Sequence, residues 1–249
     1  MNILAAEWTK LRTLRSTWVA LALTVTVSAG FSLLVGVAFR SPAVVHFDPL
    51  FASYYSLTLG QLALVVFAVG AVGSEYRAGT IRASLAAVPR RGAFYGAKIV
   101  VVTMVLTATA PLTVAVAFIV GQAALGPRGV GLDAPDALQA TIGAVLYLVL
   151  IGLFALGVAM VLRSSAASLG TLIPLLLLGS QGLGNIPKVK VVTRFLPDQA
   201  GGVIMHLAGA QDDARWARGY GPWTGLGILA LWTAVALLAG FLVLRRRDA

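Results

Sequence analysis

The sequence predicts an all-α fold that threads a membrane six times. Three observations predict it: apolar residues gather into six runs of about 20, those runs contain no charged residue, and basic residues concentrate in alternate connecting segments. The composition frames all three, with 59% hydrophobic and 11% charged residues and a mean hydropathy of +0.90. A water-soluble domain of this length carries more charge and sorts its apolar residues into amphipathic periods.

The runs are residues 18–39, 54–73, 99–121, 138–162, 166–183 and 223–244. Together they hold 130 residues without one Asp, Glu, Lys or Arg. At the chain's average charge density about 14 would be expected, and each at a helix centre would cost about 2.5 to 3.5 kcal/mol on insertion scales. With the N-terminus in the cytoplasm, the inner segments carry 12 of the 19 basic residues and three acids, a net +9, whereas the outer segments net +1. The positive-inside rule therefore puts both termini on the cytoplasmic side. Val27-Ser28-Ala29 fits a small-residue cleavage site, but Glu7 precedes the run and the run continues to Phe39, so the first span reads as an anchor.

Aromatic residues mark the edges, with Trp18 inside and Tyr54, Tyr55, Tyr220 and Trp223 outside. Tyr147 and Trp232 lie mid-span and read as packing. Pro111 and Pro174 fall within the third and fifth spans, where each removes a backbone hydrogen bond. Residues 1–16 read as an amphipathic interface helix, or as a helical lead-in to the first span, with Leu4, Trp8, Leu11 and Leu14 on one stripe and Glu7, Thr9, Lys10 and Thr13 mostly away from it. Residues 184–222 form a long outer segment whose apolar pieces, Val191 to Leu196 and Val203 to Ala208, read as short helices dipping toward the outer leaflet.

The chemistry is largely defined by exclusion. Cysteine is absent, which removes disulfides, thiolate metal sites and a cysteine nucleophile. His46 and His206 both fall in outer segments, so no span supplies a histidine to activate a serine, and no cluster has metal-ligand spacing. The formal charge of +10 follows membrane sidedness rather than a nucleic-acid footprint. No phosphate loop is present, so neither ATP nor Mg is bound here in that way, and no cofactor is expected. Gln61 is the most polar residue within the second span; it reads first as an interhelical hydrogen bond worth about 0.6 kcal/mol. With Pro174 it is also a candidate for lining a pathway.

The inner loop, residues 74–97, is the most informative segment. Residues 80–88 predict a short helix with Ile81, Leu85 and Val88 on one face, stopped by Pro89 and followed by Arg90 and Arg91. Together with the E-W-T-K-L-R-T segment of the first helix, the Glu75-Tyr76-Arg77-Ala78-Gly79-Thr80-Ile81 stretch, Pro89-Arg90-Arg91, the six-span layout and the outer segment before the last span, this resembles the ABC-2 type permeases. These are the membrane subunits of ATP-binding cassette exporters, and the likeness is strongest to small actinobacterial ones. The resemblance implies a type V exporter-like fold and assigns Glu75, Arg77, Gly79, Thr80, Ile81, Leu85 and Pro89 to a coupling helix seated on an ATP-binding subunit. In that reading Glu75 caps the coupling helix and pairs with a basic residue of the partner, while Ile81 and Leu85 bury apolar surface against it.

The resemblance further implies a non-enzymatic chain that dimerises with itself or a second permease. It exports a hydrophobic or amphipathic drug, peptide or lipid, with ATP and Mg held by the partner. A non-transporting membrane scaffold or sensor of the same fold is the alternative, and an ion-coupled carrier is disfavoured by the uncharged spans.

Overall fold

The computed structural model describes residues 3–41, 47–87, 90–180, 190–209, 211 and 217–246, and these are helical with no strand among the described residues. In chain order the helices are α1 (Ile3–Thr13), α2 (Arg15–Phe39), α3 (Pro49–Tyr54), α4 (Leu57–Arg77), α5 (Thr80–Ala87) and α6 (Arg91–Leu125). There follow α7 (Ala137–Leu162), α8 (Ser165–Ser180), α9 (Lys190–Thr193), α10 (Pro197–Gly201) and α11 (Pro222–Arg246), with short 3-10 turns at Gly126–Arg128 and Gly202–Met205.

Among the described residues, five stretches are long and apolar enough to cross a membrane: α2, α3 with α4 (Pro49–Tyr76), α6, α7 and α11. Of the expected fifth span at 166–183, the described residues form α8, whose 16 residues rise about 24 Å. Residues 181–189, into which that expectation extended, lie outside the described residues, as does His46.

Local sequence sets the ends. The Asp48 carboxylate accepts from the Leu50 amide at 2.8 Å and Pro49 occupies the first turn, so α3 starts earlier than the expected Tyr54. Gly79 at φ +66° follows the C-terminus of α4 in the left-handed conformation that glycine reaches without a Cβ clash. Arg163, also left-handed, and Ser164, whose hydroxyl accepts from the Ala167 amide at 3.3 Å, turn α7 directly into α8. The helix containing the expected third span begins at Arg91, eight residues before Ile99, so Lys98 lies two turns inside it.

The bundle is organised around α4 and α7. Helix α4 packs between α2, α7 and α8, while α7 lies against α11, α4 and α6. Because lipid is as apolar as the side chains, close packing and polar contacts rather than water exclusion hold such helices together. Small residues permit that approach: a Cβ added at Gly157 would stand 2.6 Å from the Ala236 backbone, and one at Gly36 2.8 Å from the Gly121 carbonyl. The Ser32 hydroxyl donates to the Ala117 carbonyl at 2.6 Å, tying α2 to α6. Large apolar residues such as Trp18, Leu23 and Leu34 on α2 and Leu231, Val235 and Leu238 on α11 point outward, as lipid-facing surfaces require. Mid-span Tyr147 is buried as packing, but Trp232 is exposed and donates to the Phe195 carbonyl at 2.8 Å.

Candidate functional site

A four-charge cluster sits where α1, α4, α5 and α6 meet. Lys98, only 3% exposed, projects from α6 between two carboxylates: its ammonium is 2.6 Å from Glu7 Oε2 on α1 and 3.2 Å from Glu75 Oε1 on α4. Lys10 closes the ring from the other side, at 2.7 Å from Glu7 Oε1 and 2.8 Å from Glu75 Oε1. Lys98 also donates to the Ala71 carbonyl at 3.2 Å, and both ammonium groups lie over the Phe94 ring within 5.6 Å. Lys10 further donates to the Ser84 hydroxyl at 3.2 Å, which brings α5 into the network.

Two positive and two negative charges balance, with Lys10 partly exposed and the other three buried. Burial alone pushes the Glu7 carboxyl up, but the two lysines more than offset it and hold it below its usual range. Burial likewise pushes Lys10 down, and its bonds to Glu7 and Glu75 more than reverse that.

The expected site residues fall into three groups. Glu75, Gly79, Thr80 and Ile81 lie together at the α4–α5 junction, where the Thr80 hydroxyl approaches the Glu75 carbonyl at 3.5 Å. Pro89 lies outside the described residues, as do the side chains of Arg77 and Leu85. Gln61 and Pro174 lie elsewhere and apart: Pro174 is exposed on α8, whereas Gln61 is fully buried near the opposite end of α4. There Gln61 accepts from the Tyr147 hydroxyl at 2.5 Å and donates to the Thr58 carbonyl, the interhelical bond expected of it, beside a cavity of about 30 Å³.

Glu75 Oε1 is held by Lys10 and Lys98 of the same chain, while its Oε2 has no hydrogen-bond partner. Ile81, 4% exposed, is buried within the chain, so the exposed side of α5 is formed by Thr80, Arg82, Ala83 and Ala86. On α1 Glu7 is buried with Leu11, while Leu4, Trp8 and, just past the helix end, Leu14 are exposed. Sequence reading missed Glu7, Lys10 and Lys98 as a site, although the i, i+3 pair of Glu7 and Lys10 and a lysine abutting an apolar run were visible signals. No cluster able to hold a metal occurs among the described residues.

A family model described as ABC-2 family transporter protein matches residues 3–179, which takes in α1 through nearly all of α8. The chain belongs to this family. As an ABC-2 protein it is a multi-pass membrane subunit of the permease kind, in a family that typically works with an ATP-binding subunit. No curated protein matches the chain. The matched residues contain the whole charge cluster and α5, whereas α9, α10 and α11 lie beyond them.

Proposed function

We propose that this ABC-2 permease exports a hydrophobic or amphipathic compound. It works as a dimer driven by a separate subunit that holds and hydrolyses ATP with Mg, with α1, α5 and both termini in the cytoplasm of a bacterial cell. The observation that carries the reading is the placement of α5, a short helix with an exposed outer side and an inner side tied through Ser84 and Lys10 to α1, α4 and α6. A push on α5 reaches three helices through charge-assisted bonds, which are shorter and stronger than neutral ones and resist sliding.

The unpartnered Glu75 Oε2 supports the same reading. Glu75 borders a crevice of about 330 Å³ lined also by Thr13, Ala78, Thr80 and Ser84. A basic side chain of the ATP-binding subunit entering this crevice completes the Glu75 hydrogen bonding without disturbing Oε1. Movement of α4 and of α8 packed on it then alternates a substrate path between two permease copies.

Co-purification with a co-expressed ATP-binding subunit tests the proposal. Ala83→Arg and Ala86→Arg crowd the exposed side of α5 and leave the cluster untouched. They are expected to lose the partner without altering the thermal unfolding of the permease alone. Retention of the partner by both variants would rule out docking on this side.

A further inference from the structure

At the end of the bundle away from the charge cluster, residues 197–205 are all buried although this segment does not cross the membrane. The segment packs on α7, α8 and α11. It carries a carboxylate inward: Asp198 is 5% exposed, its Oδ2 accepts from Gln199 Nε2 at 2.9 Å, and its Oδ1 has no hydrogen-bond partner. Asp198 lines the cavity of about 30 Å³ together with Tyr55, Thr58, Gln61, Tyr147 and Arg218, room for about two waters. The Tyr147 hydroxyl is already committed to Gln61, and Arg218 Nη2 donates to Gln199 Oε1 at 3.1 Å. Tyr220 is the remaining titratable group that senses Asp198, since α8 has no ionisable residue and those of α11 are Arg245 and Arg246 at its other end.

The segment has a second titratable contact. His206, left-handed at φ +62°, closes the 3-10 turn and places Nδ1 2.5 Å from Oδ2 of Asp48, the residue that caps α3. Asp136 at the start of α7 is the next acid to act on it, and Tyr54 of α3 is bonded to Thr141 at 2.6 Å.

We propose that residues 197–208 form a proton-operated latch, docked when Asp198 and His206 carry protons and released toward water when they lose them. A protonated Asp198 enters the cavity as a neutral donor, whereas an ionised one buries a charge with one oxygen unsatisfied. A protonated His206 forms an ion pair with Asp48 that the neutral ring cannot. In keeping with this geometry, burial raises Asp198 from 3.8 to about 6, against smaller opposing effects of Gln199 and Arg218, and the hydrogen bond to Asp48 raises His206.

Both groups bind protons more tightly when docked, so acid favours docking. The Asp198 penalty is absent below about 3.8 and fully present above about 6, and the His206 contribution is full below 6.5 and lost as pH rises through its raised value. Asp48, held below its usual 3.8, opposes them only in stronger acid. From Asp198 alone, linkage between 6 docked and 3.8 hydrated shifts the docking equilibrium about tenfold between pH 7 and pH 5. The latch stands independently of the transport reading.

The absence of cysteine makes a direct test simple. Ala208→Cys, at a position 4% exposed on the cavity wall, reports undocking, and Leu132→Cys, at a position 49% exposed, reports the pH dependence of the reagent. In purified protein the ratio of their maleimide labelling rates is expected to fall tenfold or more from pH 7 to pH 5. Asp198→Asn removes the Asp198 share, and adding His206→Gln removes the rest. A pH-independent ratio in the parent, or a pH effect that survives both substitutions, overturns the proposal. If Ala208→Cys does not fold, amide-exchange protection over 197–208 in the unsubstituted protein, corrected for intrinsic rates, must rise about tenfold over the same range. A flat profile overturns it equally.

Discussion

Replacing Lys98 by Met keeps most of the side-chain volume on α6 and removes the one ammonium that both Glu7 and Glu75 contact from the helix interior. The variant retains two carboxylates, 3% and 7% exposed, with Lys10 alone to serve them. Breaking a buried ion pair from one side destabilises by about 3 to 5 kcal/mol, because the remaining charge stays desolvated. For a chain of this size that corresponds to about 6 to 20 °C in Tm. Thermal unfolding of the purified protein in one detergent at pH 7 measures it.

The pH dependence adds a signed check. In the parent, Glu7 is held below its usual value, so its stabilising contribution is present above 4.5 and lost as pH falls through its lowered value. In Lys98→Met the buried surplus carboxylate accepts a proton readily, so the gap between variant and parent narrows on acidification. Adding Glu7→Gln to Lys98→Met relieves the surplus charge and recovers about 1 to 3 kcal/mol as a coupling energy. A Lys98→Met protein within about 1 kcal/mol of the parent at pH 7, with no narrowing in acid, would refute the view that these charges form one unit.

Other substitutions test neighbouring claims. Gly79→Val has open space for its side chain but a φ of +66°, so it costs about 1 to 2 kcal/mol by backbone strain and weakens capture of the ATP-binding subunit in the co-purification assay. Gly157→Ala pushes a methyl group to 2.6 Å from the Ala236 backbone, and spreading α7 from α11 lowers stability by about 1 to 3 kcal/mol in thermal unfolding. Tyr147→Phe strands Gln61 Oε1 in the cavity shared with Asp198 and costs about 1 to 3 kcal/mol, more than an average interhelical bond, as read by the same method.

The sequence made the spanning helices legible because hydrocarbon imposes one simple rule on a stretch of about 20 residues. The same rule does not read where α6 starts. Charge exclusion puts a boundary at Lys98, yet the helix runs on to Arg91 because Glu7 and Glu75 neutralise that lysine, a tertiary fact absent from hydropathy. Helix α1 was legible as amphipathic, but periodicity alone does not say which side meets protein. For a helix at a membrane surface the apolar stripe has lipid to face, and here Glu7 turns inward while Leu4, Trp8 and Leu14 stay exposed. Glu75 was visible within a motif. Its partners, separated from it by 65 and 23 positions, were not.

The two polar sites differ in the way their charges are satisfied, and that difference assigns them unlike mechanical roles. In the cluster each of four charges has an opposite partner within 3.2 Å, and α1, α4 and α6 are joined through them. Sliding any one helix breaks several charge-assisted bonds at once, so the region moves as a block. At the opposite end of the bundle Asp198 leaves one oxygen unmatched, and a 12-residue stretch from Pro197 to Ala208 is fixed by packing and by a histidine contact whose strength depends on pH. Elements that move in a working protein come from the less stable part of the structure. A charge-balanced cluster at one end of the bundle and a weakly satisfied segment at the other are therefore expected to differ in local stability, the segment opening first.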